Sequence, residues 1–103
     1  MSEQQSQFHR AAEVQTHNGS KYLQRLCKHF AHRVTAKWSE HQGNVNFAEG
    51  TCTLWSDARS LKMVCRADSE QELAEIVDTL DRHFIRFAKA EAPNLVWHSQ
   101  SLR

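Results

Sequence analysis

Val34-Thr-Ala-Lys-Trp-Ser-Glu-His-Gln-Gly-Asn-Val-Asn-Phe-Ala-Glu-Gly-Thr-Cys-Thr-Leu-Trp-Ser-Asp-Ala-Arg-Ser-Leu-Lys-Met-Val-Cys-Arg-Ala67 alternates apolar and polar residues with a period of two. The turn signals Glu40-His-Gln-Gly43, Glu49-Gly50 and Asp57-Ala-Arg-Ser60 divide it into four short strands. Hairpins centred on those signals put Ala36, Phe47, Cys52 and Cys65 in one cross-strand row. Trp38, Val45, Leu54 and Met63 then form a second row on the same face. The opposite face carries Thr35, Lys37, Asn44, Asn46, Thr51, Thr53, Trp55, Lys62, Val64 and Arg66. Three separately placed turns thus agree on one apolar face, which predicts an antiparallel meander.

Upstream, Phe8, Arg10, Ala12 and Val14 alternate with His9, Ala11, Glu13 and Gln15 as a half-buried strand would. Thr16-His-Asn-Gly-Ser20 supplies turn and N-cap residues, so a first helix is expected over about Ser20 to His32. At ~100° per residue its apolar stripe is Leu23, Leu26, Cys27, Phe30, Ala31 and Val34, and its basic face is Lys21, Arg25, Lys28, His29 and His32. Downstream, Ser69-Glu-Gln-Glu72 reads as a capping box. Leu73, Ile76, Val77, Leu80, Phe84 and Phe87 continue that second helix to about Ala88, and Pro93 bars further continuation. Leu95 and Trp97 alternate with Val96 and His98 in a last strand. The order β-α-β-β-β-β-α-β contains no βαβ repetition, so the expected fold is α+β, an antiparallel sheet with both helices on one face. That order is similar to the TATA-binding-protein-like fold. The domain is expected over residues 7–98, with a frayed start at 1–6 and a tail at 99–103.

A chain of 103 residues can bury one core without staples. Its 13 Lys and Arg against 12 Asp and Glu leave a formal charge of +1, which disfavours nucleic acid as a partner and leaves any electrostatic role to local patches. The sequence has no membrane-length apolar run and no apolar leader, so the expected location is the cytoplasm. Three cysteines, an odd number without a Cys-x-x-Cys pair, read as reduced and buried thiols.

No nucleophile triad, glycine-rich phosphate loop or carboxylate pair stands out. The candidate ligand-binding residues are Lys21, Arg25, Lys28, His29 and His32, because a dense cationic strip attracts carboxylate, phosphate or hydroxamate-type oxygens; a merely solvated helix face is the alternative. His29 and His32 could share a metal, yet no acid or thiol of that face completes a ligand set, so neither a metal nor another cofactor is expected. His83 and Arg86 border the second helix's apolar face. They either bond nearby helix ends and strands or form a polar cluster with the first helix. Trp55, expected across from Lys62 among cations and without an acid, marks the outer sheet face as a candidate homodimer or partner interface.

Lys21-Tyr22-Leu23 with Leu26-Cys27-Lys28-His29-Phe30, His32-Arg33, His83-Phe84-Ile85-Arg86-Phe87-Ala88 and Leu95-Val96-Trp97 resembles the bacterial family catalogued as domain of unknown function 2218. The resemblance spans about His17 to Trp97. It implies a single-domain bacterial protein of a family sometimes found beside iron and siderophore transport genes. No site residue can be carried over from it. The expected function is a non-enzymatic binding or accessory module that meets an anionic small molecule or protein partner through the first helix. Two rivals are an enzyme on an acidic metabolite with His29, His32 or His83 as general acid or base, and a nucleic-acid-binding sheet.

Overall fold

The computed structural model describes residues 8–88 and 95–99. The period-two segments become five strands and the two amphipathic runs become helices: β1 (Phe8–Gln15), α1 (Gly19–Phe30), β2 (Thr35–Trp38), β3 (Gln42–Asn46), β4 (Gly50–Ser56), β5 (Ser60–Ala67) and α2 (Glu70–Phe87). All strand pairs are antiparallel in one sheet of order β1-β5-β4-β3-β2. The fold is α+β with the expected element order, and the last strand is reduced to one bridge. Ala11 and His98 exchange two backbone hydrogen bonds of 2.9 and 2.8 Å along the free side of β1. Residues 1–6, Pro93 and the tail beyond position 99 lie outside the described residues.

Register separates the two halves of the meander. In β4–β5, Cys52 faces Cys65 and Leu54 faces Met63, as the sequence predicts. In β2–β3 the pairing is corrected by two residues: Val45 lies opposite both Ala36 and Cys52, and Gly43 lies opposite both Trp38 and Leu54. The reason is turn length. Glu40-His41 and Ala48-Glu49 each close a two-residue hairpin, with Ser39 N–H donating to the Gln42 carbonyl at 2.8 Å and Phe47 N–H to the Gly50 carbonyl at 2.7 Å. A slide of two preserves which side chains share a face. Phe47, however, leaves its row and flanks a turn, half-buried.

Val45, Cys52, Leu54, Met63 and Cys65 are completely buried, whereas Trp38, expected in the core, is 38% exposed. Gly43 explains the difference. A Cβ there would lie 2.6 Å from Cys27 Sγ and 3.4 Å from Leu23 Cδ2. Without one, α1 settles directly on β3. The edge strand β2 is left at the margin, and the Trp38 indole stands beside α1 instead of beneath it.

α1 ends at Phe30, two residues before the expected stop, where both Arg33 and Val34 N–H groups donate to the Phe30 carbonyl at 2.9 Å. Ala31 is therefore exposed, and Tyr22 joins Leu23, Leu26, Cys27 and Phe30 in the core. Tyr22 meets Phe84 of α2 edge to face at 5.5 Å between ring centroids. α2 begins at the expected capping box, with Ser69 Oγ accepting from Glu72 N–H and donating to Glu72 Oε1, both at 3.1 Å. Leu73, Ile76, Leu80 and Phe84 complete the core. Each fully buried Leu or Ile contributes about 2 kcal/mol of transfer free energy.

Candidate functional site

The residues of the expected basic strip are exposed, Lys21, Arg25, Lys28 and His29 on α1 and His32 in the turn that follows it, and the structure divides them between two hollows. The N-terminal part, Lys21, Gln24, Arg25 and Lys28, surrounds a shallow depression of about 420 Å³ against Trp38. Arg25 also leans toward α2, its guanidinium carbon 5.4 Å from the Phe87 ring centroid. The C-terminal part opens on a larger cleft of about 570 Å³ between the end of α1, the β3–β4 turn and α2. His29, His32 and Arg33 line one side of this cleft, Thr79 and His83 the opposite side, and Phe47 and Glu49 close it from the turn.

The sequence leaves open whether His83 meets α1, and the structure brings it there. The His29 and His83 rings lie 4.7 Å apart between centroids, with Phe30 5.1 Å from His83 and Phe87 5.7 Å from His29. His83 Nδ1 is 2.7 Å from the Thr79 carbonyl oxygen. That oxygen can only accept, so Nδ1 carries the proton and Nε2 of the neutral ring is an acceptor. Arg86 is exposed beside the pair and acts on His29 through its charge. Desolvation first, then the positive charges of His83, His32, Arg86 and Arg33, hold His29 below the ordinary imidazole range.

Among the described residues the ion pairs are Arg10–Glu70, Glu40–His41 and Arg82–Asp78, all away from this cleft. Glu49 is the only carboxylate on its described walls. Phe30 and Phe47, edge to face at 5.1 Å, give it an apolar floor. Such a hollow can pair an anion with imidazolium and guanidinium donors and press an aromatic or aliphatic body against the rings. Among the described residues no group of three or more His, Cys, Asp or Glu is gathered to hold a metal ion.

Of the residues singled out in the sequence, His29, His32 and His83 meet at the cleft, while Lys21, Arg25 and Lys28 belong to the other depression. Arg33, Phe47, Glu49 and Thr79 were missed. Phe47 reads as a core residue as long as its turn is placed too late, and the two-residue loop is the signal that would have freed it. Trp55, 37% exposed, does pair with Lys62 on the outer face. Beyond the meander residues named from the sequence, β1 adds an acid to this face, since Glu13 lies opposite Lys62 on its other side. The thiols are free and buried: burial pushes Cys27 up to about 11 and also raises Cys52, which lies opposite Cys65.

No curated protein matches this sequence. The NMR structure of PA4090 from Pseudomonas aeruginosa is similar over 92% of this chain and 100% of that one, with 25% sequence identity and a TM-score of 0.77. The profile of a bacterial family described as uncharacterized protein conserved in bacteria (DUF2218) matches residues 11–98, from β1 through the His98 bridge, and the chain belongs to that family.

Proposed function

We propose that this protein is a non-enzymatic binding module for a small organic anion with an apolar or aromatic body, held in the cleft between the C-terminal half of α1 and α2. One observation carries the reading: His29, His32, Arg33 and His83 converge on about 570 Å³ with a single wall carboxylate and a phenylalanine floor. This narrows the first expectation, because the lysines of α1 lie outside the cleft. The gene setting implied by the resemblance makes iron acquisition in the cytoplasm the proposed context, with oxygen-rich aromatic acids as the first ligands to try. An acid–base enzyme on an acidic metabolite is the second reading, favoured by the His29–His83 ring contact. A homodimer through the outer face is the assembly that exposed Trp55 favours.

The test is titration of the protein with 2,3-dihydroxybenzoate and with the uncharged benzamide of the same shape, followed by calorimetry and by the histidine ring signals in NMR. Binding of the acid with movement of the His29 and His83 signals, and at least tenfold weaker binding of the amide, supports the reading. Equal binding of acid and amide, or movement confined to Trp38, overturns it.

A further inference from the structure

We infer that the free edge of β2, with the cationic depression above it, takes an extended acidic peptide as an added strand. The hydrogen-bond pattern supplies the first argument. Ser39 N–H bonds the Gln42 carbonyl, so Ser39 and Gln42 form a bonded pair, and by alternation Lys37–Asn44 and Thr35–Asn46 do as well. Ala36 and Trp38 therefore point their N–H and C=O groups away from β3. Among the described residues no backbone or side-chain group engages those four. At the far side of the sheet the corresponding edge of β1 is already occupied by the His98 bridge.

Charge and shape supply the second. A strand laid along β2 places alternate side chains on the helix side of the sheet, into the hollow formed by Lys21, Gln24, Arg25, Lys28 and Trp38. Three cations and no carboxylate line that hollow, so the helix-facing positions of the added strand are acidic. Glu40, the acid closest in sequence, lies in the turn beyond the edge, 3.8 Å from His41. Trp38, 38% exposed, offers the added strand's apolar atoms a flat indole. Lys37 projects from the other side of the same edge, and pairing with a second copy would bring like charges together. The edge thereby rejects itself and accepts an acidic segment, which is the strand-addition mode of peptide recognition with charge as its filter.

The test uses three capped eight-residue probes: alternating Val and Glu, alternating Val and Lys, and the Val–Glu peptide with methylated backbone nitrogens. The expected result is that the Val–Glu peptide shifts the Trp38 indole signal and slows hydrogen exchange at the Ala36 and Trp38 amides. The lysine peptide should leave both unchanged, and methylation should weaken binding about tenfold or more by removing backbone donors. Since the protein is unaltered throughout, folding of a variant cannot confuse the outcome. No binding of the Val–Glu peptide, undiminished binding after methylation, or shifts along Lys21–Lys28 without protection of Ala36 and Trp38 would each overturn the inference.

Discussion

The β1–β5–β4–β3 part of the sheet and its margin, β2 with the β3–β4 turn, are built from the same alternating pattern and come out differently. Under the helices, Val45, Cys52, Leu54, Met63 and Cys65 are sealed completely; at the margin, Ala36 and Trp38 of β2 and Phe47 at the β3–β4 turn share the same face and remain partly open. Both hollows along α1 take a wall from the open half, Trp38 in one and Phe47 in the other. Incomplete cover is what leaves the side chains of the margin open. A sheet wider than its two helices leaves apolar side chains that can serve a ligand.

The largest expected contrast is chemical. Because all three thiols lie in the covered layer, and burial raises Cys27 and Cys52, alkylation of the native protein should be slower than that of the denatured chain by roughly a thousandfold or more. Timed iodoacetamide labelling read by mass spectrometry checks this. Fast native labelling at two positions would show that the covered half is not sealed.

Leu54→Ala removes a side chain with zero exposure and should cost about 3 kcal/mol, whereas Trp38→Ala at the margin should cost about 1 kcal/mol or less despite deleting more atoms. Urea unfolding of both variants measures the difference. Equal losses would mean that Trp38 is a core residue after all and that the division into halves is wrong.

How much of this was legible in the sequence follows the same division. Asp57-Ala-Arg-Ser60 fixed the β4–β5 register because the Asp57 carboxylate accepts from the Arg59 and Ser60 N–H groups at 2.8 Å, a side-chain device that can be read directly from the residue types. The turns at Glu40-His41 and Ala48-Glu49 carry no such residue at their tips, and the neighbouring Gly43 and Gly50 drew the expected centres too far along the chain. Those glycines serve packing. A Cβ at Gly50 would collide with the Arg66 carbonyl and lie 2.9 Å from Ile76 Cδ1, just as one at Gly43 would meet Cys27. The His29–His83 contact was not legible, because it depends on how α1 and α2 cross, which neither helix's own periodicity specifies.

At the cleft, His29→Gln combined with His83→Gln should weaken binding of 2,3-dihydroxybenzoate about tenfold, the loss of one to two charge-assisted contacts. Lys21→Gln with Lys28→Gln should change it less than twofold, since those residues face the other hollow. Calorimetry of the two double variants sharpens the comparison. An equal loss from both would return α1 to a single undivided strip.

The smallest expected effect is the dependence on pH. His29 is held below its ordinary value of 6.5, so the unfolded chain binds more protons at this position than the folded one as the solution becomes acidic. Its contribution is fully present above pH 6.5 and is lost as pH falls through that value toward the lowered folded pKa. An exposed ring makes the change slight, a small fall in Tm between pH 7.5 and 5.5 that His29→Gln should reduce. A bound carboxylate reverses the sign. By favouring the imidazolium it raises the His29 pKa, so affinity for the acid should increase over the same interval in which the unliganded protein loses stability. Thermal melts at both pH values, with and without 2,3-dihydroxybenzoate, separate the two slopes. If the increment in Tm from the ligand shrinks as the pH is lowered, the anion does not engage His29, and the cleft's positive charge is only a property of its rim.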